Sequence, residues 1–419
     1  MFYVIETLDQ LEAFKTRNLQ EVFIEVIPSS YYTHPIKNEV SLLYVRSVHN
    51  SKKGYVIAVN HTEALNINVS HISALLKIIP TVYVRDKKDL YYYFPLKKAI
   101  DITFGLDKYS IPFTQTHTIY NQRFPDKNDV NRLIPIAKHY EMCEQMFHDL
   151  KPHMKSDCND FFNTKAPLVF FGIEQSGIKI DKDLFSDHFY DEFDNYIYTQ
   201  YNYKTLTTRP SNRFDGINYA ALPKESGCKE AFIARNDQLI QFDFTAYHPN
   251  IVGKLMKYDF KGKNIYDIIM AECGVDYDEA KKIVFRNMNG KIYDKYKDVT
   301  FFKELQEYTD QLWTEFNANG FIEDEVSKYR FYKSKLEDMN PSKLLNYRIQ
   351  CAETSVNILM MIDMFKILKD KKSKLIYYQY DSFTIDLDEY EEDIIKQIET
   401  IFSKYGFPFK VKTGKTLNF

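Results

Sequence analysis

At 419 residues the chain has room for two or three domains, and a 44% hydrophobic content is ample for real cores. A formal net charge of −3 excludes a global basic field, so any nucleic-acid partner has to be held by local patches. Five scattered cysteines (Cys143, Cys158, Cys228, Cys273 and Cys351), odd in number and without a CxxC pair, argue against a disulfide framework and a zinc site and fit a reducing cytoplasm. No apolar run approaches a membrane span, and no charged-then-apolar leader follows Met1. The expectation is a soluble, cytoplasmic protein without a membrane partner.

Up to about residue 150, the β-rich runs EVFIEVI (21–27), GYVIAV (54–59) and TVYVRD (81–86) alternate with helical ones, ending in a helix over 130–150. The alternation predicts a compact α/β unit. A polar stretch, KSDCNDFFNTK, then marks a boundary before residue 165. LVFFGIEQSGIKID (168–181) reads as a helix ending near Gly177, followed by an extended piece. Loop, strand, helix and a long basic helix occupy 205–300. From 340 a helix, LLNYRIQCAETSVNILMMIDMFKIL, precedes the hairpin YYQYDSFTIDL (377–387) and a helix–strand tail.

Two acids stand out. Asp381 interrupts a hairpin of Tyr, Phe and Ile, where an unpaired charge is costly. It reads either as an ordinary turn residue beside Ser382 or as a carboxylate facing a divalent metal. In LIQFDFTAYHPNIVGKLM (239–256), an apolar strand delivers Asp243 and then enters an apolar helix. Two carboxylates brought together at strand ends can hold two Mg²⁺ ions about 3.5–4 Å apart, one for each oxygen of an in-line displacement. Between them, DEAKKIVFRNMNGKIYDKY (278–296) is predicted to be helical. Lys282, Arg286, Asn289 and Tyr293 then share one face, opposite Val284, Met288 and Ile292. A basic stripe ending in an aromatic suits a triphosphate and its base, while a solvated amphipathic helix is the plain alternative.

Together these residues resemble the family A DNA polymerases, from about residue 165 to the C-terminus and with five motifs in the family's order. TLTTRPSN (205–212) looks like the segment carrying Arg209 and Ser211. INYAALPKESGCKEAFIARNDQLIQFDF (217–244) is similar to the stretch running from an Asn-x-x-x-x-Pro, here beginning at Asn218, to the first catalytic Asp. NYRIQCAETSVNILM (346–360) resembles the helix whose Asn and Gln, here Asn346 and Gln350, touch the template–primer minor groove. YQYDSF looks like the family's hairpin bearing the second metal ligand, and PFKVKTGKTLNF like its closing strand.

The resemblance implies a mixed α/β chain in which a palm-and-fingers module follows an RNase H-like, exonuclease-like domain. It implies a degenerate 3′–5′ exonuclease-like domain over 1–155 and a polymerase domain over 165–419. Within the latter it implies a reduced thumb at 180–204, a palm at 205–257 and 340–419, and fingers at 258–339. The expected reaction is addition of a dNMP to a primer 3′-OH, with Asp243 and Asp381 on two Mg²⁺ ions (Mn²⁺ a possible substitute). Lys282, Arg286 and Tyr293 take the nucleotide, and Arg209, Ser211, Asn218, Asn346 and Gln350 take the primer–template DNA.

The sequence also departs from the family. His248, preceded by Tyr247, stands where a Glu closes the pocket against a ribose 2′-OH, so either residue is a candidate steric gate. The family's Arg, Lys, Phe and Tyr at spacings of four, then Gly, fit poorly when counted back from Tyr293: Lys281 and Phe285 rotate toward the apolar side and Asp294 replaces the Gly. Tyr380 and Ser382 in the last hairpin also resemble single-subunit RNA polymerases. The segment before Arg209 is too short for a full thumb, so low processivity is expected unless a clamp or replisome protein supplies grip. The exonuclease acids are reduced to Glu25 and Glu141, with Asp86 and Asp89 as candidate remnants, and loss of proofreading follows. The rival readings are an RNA polymerase or primase and a non-catalytic accessory subunit. A phage or viral replisome is the expected home, by analogy.

Overall fold

EVFIEVIP sends alternate side chains to opposite faces of a sheet, and both faces are covered. Val22 and Ile24 join Leu11, Phe14, Ile72 and Leu75 on one side. Phe23 and Ile27 join Cys143, Met146 and Phe147 on the other. Burial on both faces explains why the run reads as continuously apolar. The computed structural model describes residues 2–17, 19–31, 33–49, 54–103, 130–154, 159–189, 194–214, 217–223 and 227–419. Within it the chain divides into two units, Met1–Gln175 and Ser176–Phe419.

The first unit is built on six strands: β1 (Tyr3–Ile5), β2 (Glu21–Pro28), β3 (Val40–Ser47), β4 (Tyr55–Ala58), β5 (Thr81–Val84) and β6 (Ile100–Asp101). Their order is β1-β4-β3-β2-β5-β6. Strands β2, β3 and β4 run antiparallel in succession, while β1 on β4, β5 on β2 and β6 on β5 are parallel. The helix expected over 130–150 is broken at Pro135 into a single turn, Val130–Leu133, and the helix Ile136–Leu150. The polar stretch read as a boundary carries the start of another helix, Asp160–Glu174, capped by Asn159. That helix is anchored in the first unit. Asn163 exchanges two hydrogen bonds with the Asp101 backbone, and Glu174 accepts from Lys88 Nζ at 2.8 Å and from the Tyr92 hydroxyl at 2.7 Å. The division therefore falls after this helix, C-terminal to the polar stretch.

The second unit is organised by a four-stranded antiparallel sheet in the order Lys374–Gln379, Ser382–Leu387, Gln238–Phe244, Phe409–Gly414. Period two again sorts the faces. Phe242 and Phe244 meet Phe383, Phe402 and Phe407 in an aromatic layer, with Phe242 and Phe402 stacked at 5.3 Å. Leu239 packs on the other face with Ile178, Phe185, Tyr219, Phe232 and Tyr377. Among the described residues no further strand lies beside the outer strand of the hairpin; the buried Tyr201 hydroxyl accepts from Tyr378 N–H and donates to Tyr378 C=O, each at 2.9 Å. One side chain thus satisfies two edge groups. Helices Ile265–Cys273, Tyr277–Asn289 and Thr300–Asn319 and the hairpin Phe321–Glu323/Arg330–Tyr332 come between the central strand and the long helix Pro341–Ile367. Between the strand Ile178–Ile180 and Arg209 the described residues form the helix Lys182–Phe189 and two short strands.

Candidate active site

The central strand presents Asp243 on the Leu239 face, with its Cα opposite Ser382. Asp381 occupies the turn joining Gln379 to Ser382, and Phe244 N–H donates to the Asp381 carbonyl at 2.9 Å. The two acids therefore belong to adjacent strands of one sheet end. Burial pushes the Asp381 carboxyl above the ordinary carboxylate range, and the neighbouring charges of Asp243 and then Glu353 add to the push. Lys412, on the outer strand, sits 3.0 Å from Asp243 Oδ2.

A pair of mutually repelling carboxylates is a hard, oxygen-only donor set, which suits Mg²⁺. Among the described residues no group of three or more His, Cys, Asp or Glu side chains is placed to hold a metal ion. Two carboxylates alone do not form a closed protein cage, and an ion held by them would take the rest of its shell from elsewhere.

Behind the acids lies a polar stripe on the long helix: Asn346, Gln350, Glu353 and Asn357 recur at nearly 3.6-residue spacing. Gln350 Oε1 accepts from the Thr207 hydroxyl at 2.8 Å, and Asn346 Nδ2 donates to the Asn289 carbonyl at 3.3 Å. Asn346 also borders a cavity of about 700 Å³ shared with Lys291 and Lys343. The sequence reading passed over Glu353 and Asn357, although the stripe signals both. Glu353 is fully buried, with Oε2 2.9 Å from Arg209 Nε and Oε1 3.3 Å from His248 Nε2. These are ion-pair distances off hydrogen-bond alignment. Asn357 accepts from the Tyr247 hydroxyl at 2.6 Å and donates to the Tyr378 hydroxyl and the Tyr380 carbonyl. Tyr247 is buried and stacked 3.9 Å from Phe244, whereas His248 is partly exposed. Arg209 lies with its guanidinium 3.7 Å over the Tyr380 ring. Ser211 and Asn218 belong to a separate small sheet with Gln200–Asn202.

The basic helix differs from its expected form. It starts at the cap Asp276 and ends at Asn289, with Gly290 following, so Tyr293 lies beyond it. Tyr293 is exposed, and its N–H donates to Asn287 Oδ1 at 2.9 Å. The buried face is Ala280, Ile283, Val284, Asn287 and Met288. Lys281 and Phe285, expected to rotate inward, instead point out, Phe285 being 69% exposed. The apolar arc runs through 280, 283, 284, 287 and 288, and extending the helix through Ile292 had tilted the assigned face. Lys281, Lys282, Phe285 and Arg286 line a cavity of about 400 Å³ with His248 and Tyr266.

In the first unit, Glu25 is buried and both Arg85 Nε and Nη2 donate to its Oε1, at 3.0 and 2.8 Å. Burial raises the Glu25 carboxyl, and Arg85 opposes this. Asp86 caps the helix Lys87–Tyr93, and Glu141 pairs with Lys138 at the surface.

No family model matches the sequence, and no curated protein is similar to it. Solved structures are more informative: the chain has the mixed α/β fold of a DNA polymerase domain. It is similar to the POL domain of Pol1 from M. smegmatis, determined in complex with DNA primer-template and dNTP. That likeness has a TM-score of 0.66 at 12% identity and covers 100% of this chain and 99% of that one. Among the described residues no helix is long and apolar enough to cross a membrane.

Proposed function

We propose that the protein is a template-directed DNA polymerase of family A type, with primer–template DNA and dNTPs as its substrates. The observation that carries the reading is the meeting of Asp243 and Asp381 on adjacent strands within a polymerase-type fold, with the Asp381 carboxyl raised by its burial and by Asp243. Asp243 and Asp381 would hold two Mg²⁺ ions, or Mn²⁺ in their place, whose chemistry is activation of the primer 3′-hydroxyl and neutralisation of the departing pyrophosphate. The chain's own residues do the positioning. Counted back from Gly290, the family's pattern falls on Asn289, Phe285, Lys281 and Tyr277, which restores the Lys and the Phe. Lys281, Lys282 and Arg286 line the triphosphate's side of the cavity, and the exposed Phe285 ring stacks on the base. His248, five residues after Asp243, lines the same cavity, while its neighbour Tyr247 has its hydroxyl held by Asn357. Asn346 and Gln350 face the duplex.

Finer features extend the reading. The order β4-β3-β2-β5-β6, with β3 antiparallel to its neighbours, supports an RNase H-like, exonuclease-like first unit. Arg85, bound to Glu25, stands where metal-binding acids would need an open carboxylate, which supports loss of proofreading. The short described elements before Arg209 support a reduced thumb and low processivity, with a clamp or replisome protein as the natural partner.

The test is extension of a labelled primer–template with Mg²⁺, run in parallel with dNTPs and rNTPs. Extension with dNTPs is expected. Extension with rNTPs alone would move the protein to the RNA polymerase reading, which His248 in place of a Glu leaves open. Primer–template binding without any extension would make it an accessory subunit.

A further inference from the structure

We propose that Glu353 is a positioning residue for the incoming nucleotide, holding His248 against the nucleotide cavity with one oxygen and Arg209 against the Asp381 turn with the other. The inference rests on the polymerase reading and deepens it. Glu353 is fully buried in the long helix, and neither of its oxygens has an aligned hydrogen-bond donor among the described residues. A buried charge kept in that state is unfavourable, and an apolar or amide side chain of similar volume packs at least as well in such a place. The charge contributes position instead. His248 Nε2 lies 3.3 Å from Oε1, and the His248 ring, 28% exposed, lines the cavity opposite Lys282, Phe285 and Arg286. Arg209 Nε lies 2.9 Å from Oε2, and its guanidinium covers the ring of Tyr380, the residue before Asp381. His248 lies in the first turn of the helix Tyr247–Met256 that follows the Asp243 strand. One carboxylate therefore ties together the helix that follows Asp243 and the turn that carries Asp381, and it sets the cavity wall relative to both acids.

The test compares the full chain as wild type, E353Q, H248A and the double variant. Calorimetric titration with dATP and Mg²⁺ measures affinity, steady-state extension measures KM and kcat, and fluorescence anisotropy measures primer–template binding. E353Q and H248A are each expected to weaken dATP binding about tenfold and to raise KM more than they lower kcat, as loss of an orienting partner does. The double variant is expected to be no worse than E353Q alone, because the His248 link is already broken there. Primer–template affinity is expected to stay at the wild-type value in H248A and to fall in E353Q, which also releases Arg209. If E353Q does not fold, Glu353→Met, similar in volume and uncharged, is read in its place. Wild-type nucleotide affinity in E353Q, or additive losses in the double variant, overturns the proposal and leaves the polymerase reading standing. A wild-type chain that neither binds dATP nor extends primers overturns both.

Discussion

The turn that carries Asp381 departs from ordinary backbone at Tyr380, whose φ of +52° lies in the left-handed region, and a side chain from another element keeps it there. Asn357 is fully buried and uses its amide on the Tyr380 carbonyl, the Tyr378 hydroxyl and the Tyr247 hydroxyl. Asn357→Leu removes all three of these hydrogen bonds, so a loss on the order of 3 kcal/mol in urea denaturation is expected, with an unchanged slope. Asp381 itself works against the metal-free fold. Its folded carboxyl titrates above its unfolded one, so its stabilising share is fully present only at acid pH and is lost as the pH rises through the raised range. Metal-free Asp381→Asn is therefore expected to melt above wild type at neutral pH, with the gap closing on acidification; scanning calorimetry across pH reads both. In the same window Mg²⁺ affinity should fall as the pH drops, because protonation removes the ligand. Asp243 and Asp381 stand out in the sequence as lone acids in apolar runs, and the structure brings them to adjacent strands. Glu353 and Asn357 were not singled out, because each sits in a long helix where one polar residue is unremarkable until its neighbours on the face are counted.

At the level of elements, the basic helix shows where sequence patterning gives out. Its existence and basic character were readable, but its end was not: Gly290 and the loop that follows mimic another helical turn, and Tyr293 sits at a tempting spacing. On the polymerase reading, the four-residue shift changes which ring would meet the base. Phe285→Ala is expected to raise the KM for dNTP about tenfold or more, the scale of one base–aromatic stack. Tyr293→Ala should leave KM within about twofold, since an exposed side chain beyond the helix carries little. The reverse ranking would restore the register counted from Tyr293. The edge strand Lys374–Gln379 offers a cleaner structural check. Tyr201→Phe removes the hydroxyl that serves both Tyr378 backbone groups, so about 1–3 kcal/mol of stability and the slow hydrogen exchange of the Tyr378 amide should be lost together.

For the whole molecule, the sequence conveyed two units and a mixed α/β fold, because alternating β-rich and helical runs follow from local residue patterning. The position of the division did not survive: the helix Asp160–Glu174 begins in a polar stretch, and its membership of the first unit depends on Asn163 and Glu174 finding partners far away in the chain. With Glu25 held by Arg85, the first unit is expected to remove no 3′-terminal nucleotide from a mismatched primer in Mg²⁺, which gel analysis of the labelled strand reads directly. The central claim is that Asp243 and Asp381 act together in nucleotide addition. Its most direct test is single-nucleotide incorporation on a primer–template by wild type and by Asp381→Asn, with DNA binding measured alongside. The account expects DNA binding to be retained and incorporation to fall about a thousandfold or more, as when one member of a catalytic unit is removed. Incorporation by Asp381→Asn at the wild-type rate would contradict it.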